Sequence, residues 1–291
     1  MIIKGTLIKG IGGTYSVLID NQIYACSAQK KIKQTGKLLI GDLVEVIKED
    51  NDFVITKIFE RKNELLRPNV ANVEQLVIIL ANVPAPDYML IDKLIIYANV
   101  NNIETLLLIN KCDLFDEEFV NEVKSQYQNV VGNIVVLSAK KHLHIEELQE
   151  HLTGKFSVFA GQSAVGKSTV LNALGFDLET GELSKKTDKG KHTTRHTEVF
   201  LLANNTFIAD TPGFSLLEMF YVEPSRLHEY YTDFNKFNKT CKYRACNHVQ
   251  MKLSECGVKQ AVENGNLNKT RYDRYLDHYE ETKKRWDSRY D

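Results

Sequence analysis

One stretch constrains the fold more than any other. Gly161-Gln162-Ser163-Ala164-Val165-Gly166-Lys167-Ser168-Thr169 stands between an apolar run, Phe156-Ser157-Val158-Phe159-Ala160, and a helical pattern that continues through Val170-Leu171-Asn172-Ala173-Leu174. A strand, a glycine-rich turn and a helix in that order make a phosphate-binding loop. Glycines at 161 and 166 let backbone N–H groups turn inward around an anion, and the helix aims its positive end at the same point. Lys167 supplies a mobile charge for the outer phosphates, and the Ser168 hydroxyl is placed to ligate Mg²⁺. The ligand this predicts is a nucleoside triphosphate with magnesium. A glycine turn matching by chance is the competing reading, and the strand before and helix after weigh against it.

The chain around this loop has 291 residues, more than one core usually fills, so two or three modules are expected. With 37 Lys+Arg against 38 Asp+Glu the net charge is −1, which excludes a global basic excess; any nucleic-acid contact must be a local patch. No apolar run approaches the roughly 20 residues of a membrane helix, and Met1-Ile2-Ile3-Lys4-Gly5 has no leader-like apolar region. A cytoplasmic protein is expected. Five cysteines, three of them between 241 and 256, point to metal binding in a reducing compartment rather than to disulfides.

From Thr6 to Glu60 short alternating segments (Tyr15–Ile19, Gln22–Cys26, Asp42–Ile47, Phe53–Ile58) are broken by turn residues, the pattern of a small β-barrel. A loop is expected at 29–37, with four lysines and no acid; it can grip a phosphate backbone or simply be solvated. Cys26 reads as a buried apolar residue. After residue 67 the rhythm becomes strand, helix, strand: Leu76–Leu80 and Thr105–Ile109 are continuous apolar runs typical of parallel strands buried on both faces, with helical spacing from Met89 to Ala98 between them.

The second of these runs ends in Asn110-Lys111-Cys112-Asp113, where open α/β sheets place ligand-contacting loops. A carboxylate at 113 can accept two parallel hydrogen bonds from N1–H and the 2-amino group of guanine, whereas adenine presents a mismatched acceptor. Asn110 and Lys111 brace the loop and cover the ring. Another apolar run, Ile134–Leu137, ends in Ser138-Ala139-Lys140, whose backbone can reach the base oxygen. Ordinary turns after strands are the bland reading of both tags, and their succession favours a base site.

Beyond the phosphate loop, 185–196 holds five cations, one acid and two histidines and reads as a mobile loop. A threonine here, Thr194 first and Thr193 second, can complete a Mg²⁺ shell while a γ-phosphate is present. Phe207-Ile208-Ala209 then feeds Asp210-Thr211-Pro212-Gly213, with Asp210 expected to hold Mg²⁺ and the Gly213 N–H to sense the γ-phosphate. No glutamine follows Gly213; Phe214 does. Slow intrinsic hydrolysis is therefore expected. His192 can orient the attacking water when a partner orders its loop, and a solvent-exposed histidine is an equally good reading. Because Gly213-Phe214-Ser215 leads out of the sheet toward the cysteines, loop ordering by the γ-phosphate can reposition the C-terminal module.

Cys241-x4-Cys246-x-His248-x7-Cys256 supplies three thiolates and an imidazole, the set that closes a tetrahedral structural Zn²⁺ site. Three free thiols and a passing histidine are the alternative. Lys242, Arg244 and Lys252 nearby can meet RNA phosphates or form a solvated rim. From Asn268 to Asp291, Tyr272, Tyr275, Tyr279 and Trp286 recur at helical spacing, an amphipathic helix expected to dock on its own protein.

Asn-Lys-x-Asp, Ser-Ala-Lys, Gly-x4-Gly-Lys-Ser, a threonine switch and Asp-x-Pro-Gly are the five GTPase signatures, here with the base-reading pair ahead of the phosphate-binding three. With Gly-Lys-His-Thr-Thr, the barrel in front and the cysteine cluster behind, the chain resembles the circularly permuted GTPases of the ribosome small-subunit-dependent GTPase A family. The resemblance implies an OB-like barrel over 1–66, a permuted P-loop GTPase domain over 67–222 and a zinc-binding helical module over 223–291. It implies GTP/GDP, Mg²⁺ and one Zn²⁺ as cofactors, and a catalytic set of Lys167, Thr194 and His192. The implied role is late maturation of the small ribosomal subunit, by a monomer that binds rRNA and whose weak hydrolysis the subunit stimulates. The gap between His248 and Cys256 is longer than is usual in that family. Two other readings of the residues are an RNA-binding assembly module with negligible turnover and an ATP-dependent enzyme.

Overall fold

The computed structural model describes residues 2–35, 37–49, 52–65, 69–176, 198–202, 206–210 and 222–288. Its first unit is a closed barrel of five strands, β1 (Ile2–Ile11), β2 (Thr14–Ile19), β3 (Gln22–Ala28), β4 (Leu43–Glu49) and β5 (Asp52–Ile58), with α1 (Lys30–Thr35) between β3 and β4. The order β1-β2-β3-β5-β4, closed by β1 against β4 and with β3 parallel to β5, is that of an OB-type barrel. Alternation sends Leu7, Val17, Ile19, Cys26, Val44, Val46 and Ile55 to its interior. One expectation is corrected here. The lysine-rich loop at 29–37 is helical from Lys30 to Thr35: the Gln29 N–H bonds the Ile55 carbonyl, and Ile32 is buried in the barrel core. β1 is a strand that the alternating segments named from the sequence did not include.

A short hairpin, β6 (Glu64–Leu65) with β7 (Val70–Ala71), joins the barrel to the next unit. At this junction Gly41 has φ +90°, and a Cβ there would lie 2.0 Å from the Ala71 carbonyl oxygen and 2.5 Å from the Phe156 ring. Only glycine permits that approach. Buried Asp42 receives the Arg61 guanidinium through both oxygens, at 2.7 and 2.9 Å, and caps the Leu39 N–H at 2.7 Å.

The second unit is a six-stranded sheet. Its elements are β8 (Gln75–Leu80), α2 (Tyr88–Val100), β9 (Glu104–Ile109), α3 (Glu117–Tyr127), β10 (Asn133–Val136), α4 (Ile145–Leu152), β11 (Phe156–Ala160), α5 (Lys167–Ala173), β12 (Glu198–Leu202) and β13 (Thr206–Asp210). The strand order is β10-β9-β8-β11-β13-β12, parallel except for β12. Apolar residues of α2 and α3 cover one face and those of α4 and α5 the other, which explains why the central strands carry no polar alternation.

The third unit contains short helices, among them α6 (Asn235–Asn238) and α7 (Gly257–Glu263), and the long α8 (Lys269–Asp287). Tyr272, Tyr275 and Tyr279 of α8 pack with Tyr231, Phe234, Cys246 and Cys256, and Ile96 of α2 joins the same cluster. The tail thus docks on its own chain, with Trp286 only partly buried. Docking is fixed by a buried ionic network that the sequence reading did not find. Arg271 and Asp92, both fully buried, are ion-paired; Arg271 also reaches Asp233 at 2.9 Å, Arg274 reaches Asp92 at 2.6 Å, and the Tyr127 hydroxyl donates to Asp92 at 2.9 Å. Among the described residues no helix is long and apolar enough to cross a membrane.

Candidate nucleotide site and metal centre

Loops from the carboxyl ends of β9, β10 and β11 meet at one side chain. Asn110, buried at the end of β9, donates from Nδ2 to the Val165 carbonyl of the phosphate loop at 2.9 Å. Its Oδ1 accepts from the Lys111 N–H at 2.8 Å and the Ala139 N–H at 3.1 Å. One amide therefore ties the 110–113 loop, the 138–140 loop and the 161–168 loop together. Lys111, in the left-handed region at φ +67°, adds a second tie, with Nζ on the carbonyls of Val83 at 2.7 Å and Ala164 at 2.8 Å.

Asp113 is exposed, and its Oδ1 accepts from the buried Ser138 hydroxyl at 2.5 Å. That hydrogen bond, with lysines 140 and 141 nearby, holds the carboxyl below its ordinary range. The Asp113 carboxylate is thus oriented by the loop that follows β10, a partnership between two tags that sequence spacing alone did not reveal.

The phosphate loop has the cradle geometry its sequence requires. Gly161 and Gly166 have φ of +143° and +95°, and a Cβ on them would come within 2.2 Å of the Ile79 carbonyl oxygen and 2.5 Å of Asn110 Nδ2. Lys167 Nζ lies 2.8 Å from the Gly161 carbonyl and 3.1 Å from that of Gln162, so the cation is held against the loop. Ser168 and Thr169, exposed in the first turn of α5, follow it. Asp210 ends β13 in register with Phe159 of β11, which brings its backbone beside the strand that enters the loop. The donor set here, a lysine and two hydroxyls at a helix start, suits a phosphate chain with Mg²⁺. His192, Thr193, Thr194 and Gly213 lie outside the described residues.

The second site is closed. Nδ1 of His248 lies 3.7, 3.4 and 3.4 Å from the sulfurs of Cys241, Cys246 and Cys256, and the four candidate ligand atoms all lie within 4.8 Å of one another. Zn–S and Zn–N bonds of about 2.3 and 2.0 Å at a tetrahedral angle would separate sulfur from nitrogen by about 3.5 Å, so the donor set fits Zn²⁺. The longer His248–Cys256 gap is absorbed without displacing either residue. Backbone N–H groups of Gly257 and Lys259 point at the Cys241 and Cys256 sulfurs at 3.3 and 3.5 Å, the arrangement that favours thiolates. Burial pushes the Cys246 thiol up to about 12 and raises Cys256, so a thiolate at either position needs a cation beside it to offset the lost solvation. Tyr272 and Tyr275 of α8 donate to the carbonyls of His248 and Asn247, fastening the site to the long helix.

A parallel sheet with a phosphate loop on one strand, an Asn-Lys-x-Asp loop two strands away and the base-side loops earlier in the chain defines a circularly permuted GTPase. The model of the family described as RsgA GTPase matches residues 58–220, and the chain belongs to that family. A small ribosomal subunit biogenesis GTPase RsgA of Alkaliphilus metalliredigens is 40% identical over 290 residues, covering 97% of this chain and 98% of the relative. One from Clostridium beijerinckii is 40% identical over 294 residues, covering 97% and 100%. Among solved structures, YjeQ from Thermotoga maritima matches with a TM-score of 0.85 and 34% identity over 97% of this chain and 99% of that one. YloQ, described as a circularly permuted GTPase, matches with a TM-score of 0.83 and 31% identity over 98% and 96%. The chain is accordingly a GTP-hydrolysing enzyme that uses GTP and GDP with Mg²⁺.

Proposed function

We propose that this enzyme acts in the biogenesis of the small ribosomal subunit, as the names of its relatives state for them, working as a monomer in the cytoplasm and contacting the subunit's rRNA. The observation that carries the nucleotide part of this reading is the triple hydrogen bonding of Asn110, which gathers base-side and phosphate-side loops around one ligand. Asp113 reads guanine, with Asn110, Lys111, Ser138, Ala139 and Lys140 shaping the base pocket. The backbone from Gly161 to Thr169 holds the phosphates, Lys167 neutralises charge developing between the β- and γ-phosphates, and Ser168, Thr194 and Asp210 would hold Mg²⁺, which supplies further charge stabilisation. Thr194 and Gly213 answer to the γ-phosphate, and His192 orients water once the subunit orders its loop. Cys241, Cys246, His248 and Cys256 would hold one structural Zn²⁺, leaving no open position for chemistry. The functional units divide at residues 66/67 and 222/223.

Phosphate release from GTP, measured with and without purified small subunits, tests this reading. Slow release that rises at least roughly tenfold with the subunit is expected. Unstimulated release together with tight RNA binding would favour an assembly module that merely carries nucleotide.

A further inference from the structure

The second residue of the phosphate loop is held from outside that loop. Gln162 Oε1 accepts from the Asp87 N–H at 2.7 Å, and its Nε2 donates to the Ala85 carbonyl at 3.0 Å. These partners are 75 and 77 residues distant in sequence and belong to the segment that follows β8. The glutamine amide accepts from an N–H and donates to a carbonyl from one side-chain end, and asparagine is one methylene shorter. Lys111 reaches the same segment at Val83, so 83–87 borders the loop at two points.

That segment is anchored. Asp87 is the N-cap of α2, its carboxylate accepting from the Leu90 N–H at 2.9 Å. Further along α2, Asp92 is buried against Arg271 and Arg274, Lys93 pairs with Glu281 at 2.6 Å, and the Asn99 side chain donates to the Tyr230 carbonyl at 2.8 Å. Gln162 therefore fastens the phosphate loop to the start of a helix that the C-terminal module holds along its length.

We propose that the Gln162 side chain is a positioning group for the guanine nucleotide: through its amide bridge to Ala85 and Asp87 it keeps the phosphate loop in its anion-binding shape and so sets nucleotide affinity while the amide itself touches neither base nor phosphate. This rests on the nucleotide reading above. A cradle whose backbone is fixed beforehand does not have to be ordered by the ligand, so losing the bridge weakens GDP and GTP alike. Because the shape of the cradle acts on bound GTP and on its transition state alike, the loss belongs in KM.

The test uses the full chain. Fluorescent N-methylanthraniloyl GDP and GTP are titrated into wild type, Q162A and Q162M, and steady-state hydrolysis and thermal melting of the nucleotide-free proteins are measured alongside. Both variants are expected to raise both dissociation constants about tenfold, the scale of two neutral hydrogen bonds. KM for GTP rises by a similar factor, and the melting temperature stays within about 2 °C. Q162M fills the same space without the amide, so wild-type affinity in Q162M would overturn the proposal. Unchanged affinity in both variants, a fall in kcat at unchanged affinity, or a loss matched by a lower melting temperature would overturn it as well. Wild type failing to bind either nucleotide would instead remove the reading on which it rests.

Discussion

The two ligand sites of this chain are built on opposite principles. The nucleotide site lies at the open carboxyl end of a sheet, where Asp113 and Ser168 are exposed and the loops are made of glycine turns, lysines and hydrogen bonds between strand ends. The Cys₃His site has three of its four residues buried, is backed by tyrosines of α8 and has every donor aimed at one point. An open site suits a ligand that must enter, react and leave; a closed one suits an ion that holds a small module together. The module needs that help, because its core is a single cluster shared partly with Ile96 of α2.

This contrast is sharpest if one zinc ligand is removed. Cys256→Ser should eliminate the zinc equivalent measured by elemental mass spectrometry and unfold the C-terminal module, since apparent Zn²⁺ binding contributes on the order of 10 kcal/mol to such small folds. Guanine nucleotide should still bind, as the barrel and sheet have cores of their own. Full retention of the module's amide-exchange protection after zinc loss would erase the distinction.

A smaller effect lies between the two regions. Arg271→Met leaves Asp92 buried with only Arg274 and the Tyr127 hydroxyl, and a lost partner of a buried ion costs about 3–5 kcal/mol. Denaturant melts should show that destabilisation with zinc content intact. A change within 0.5 kcal/mol, the usual range for surface substitutions, would mean that apolar packing alone docks the module.

Smaller again is a pH effect. His278, buried against Tyr231, is lowered from about 6.5 to about 4 by burial, with Lys93 and Arg285 acting in the same direction and Glu281 against it. Folded protein keeps the ring neutral while the unfolded chain binds a proton below its ordinary value. Stability is therefore complete above pH 6.5 and falls as pH drops toward 4, by up to about 3 kcal/mol. His278→Gln should flatten the profile over that window relative to wild type; superimposable profiles would show that the ring binds its proton as readily in the fold as in the unfolded chain.

Much of the nucleotide site was legible because its parts are local. A continuous apolar run such as Leu76–Leu80 announces a buried parallel strand, and a short motif at its end marks a loop at the ligand edge. The cysteine cluster was readable for the same reason. What escaped joins distant residues. Arg271 and Asp92 are 179 positions apart, and only the oddity of an acid inside the apolar stripe Leu90-Ile91-Asp92-Lys93-Leu94 hinted at a buried partner. Ser138 orients Asp113 across 25 positions and Gln162 meets Asp87 across 75, with no spacing rule to foretell either. The lysine-rich segment looked like a loop because charge hid the one residue, Ile32, that anchors it. β1 was not named from the sequence at all; a Cβ at Gly5 would lie 2.5 Å from Val17, so that glycine marks close packing inside the strand.

The central claim is that a carboxylate at 113 and a phosphate loop at 161–168 grip one guanine nucleotide. Replacing Asp113 by Asn and measuring affinity for guanosine and xanthosine diphosphates tests it most directly. The asparagine amide can donate to the 2-carbonyl of xanthine, so guanosine binding should fall by roughly 100-fold or more while xanthosine binding rises. Unchanged preference for guanosine would remove Asp113 from the base site and contradict the account.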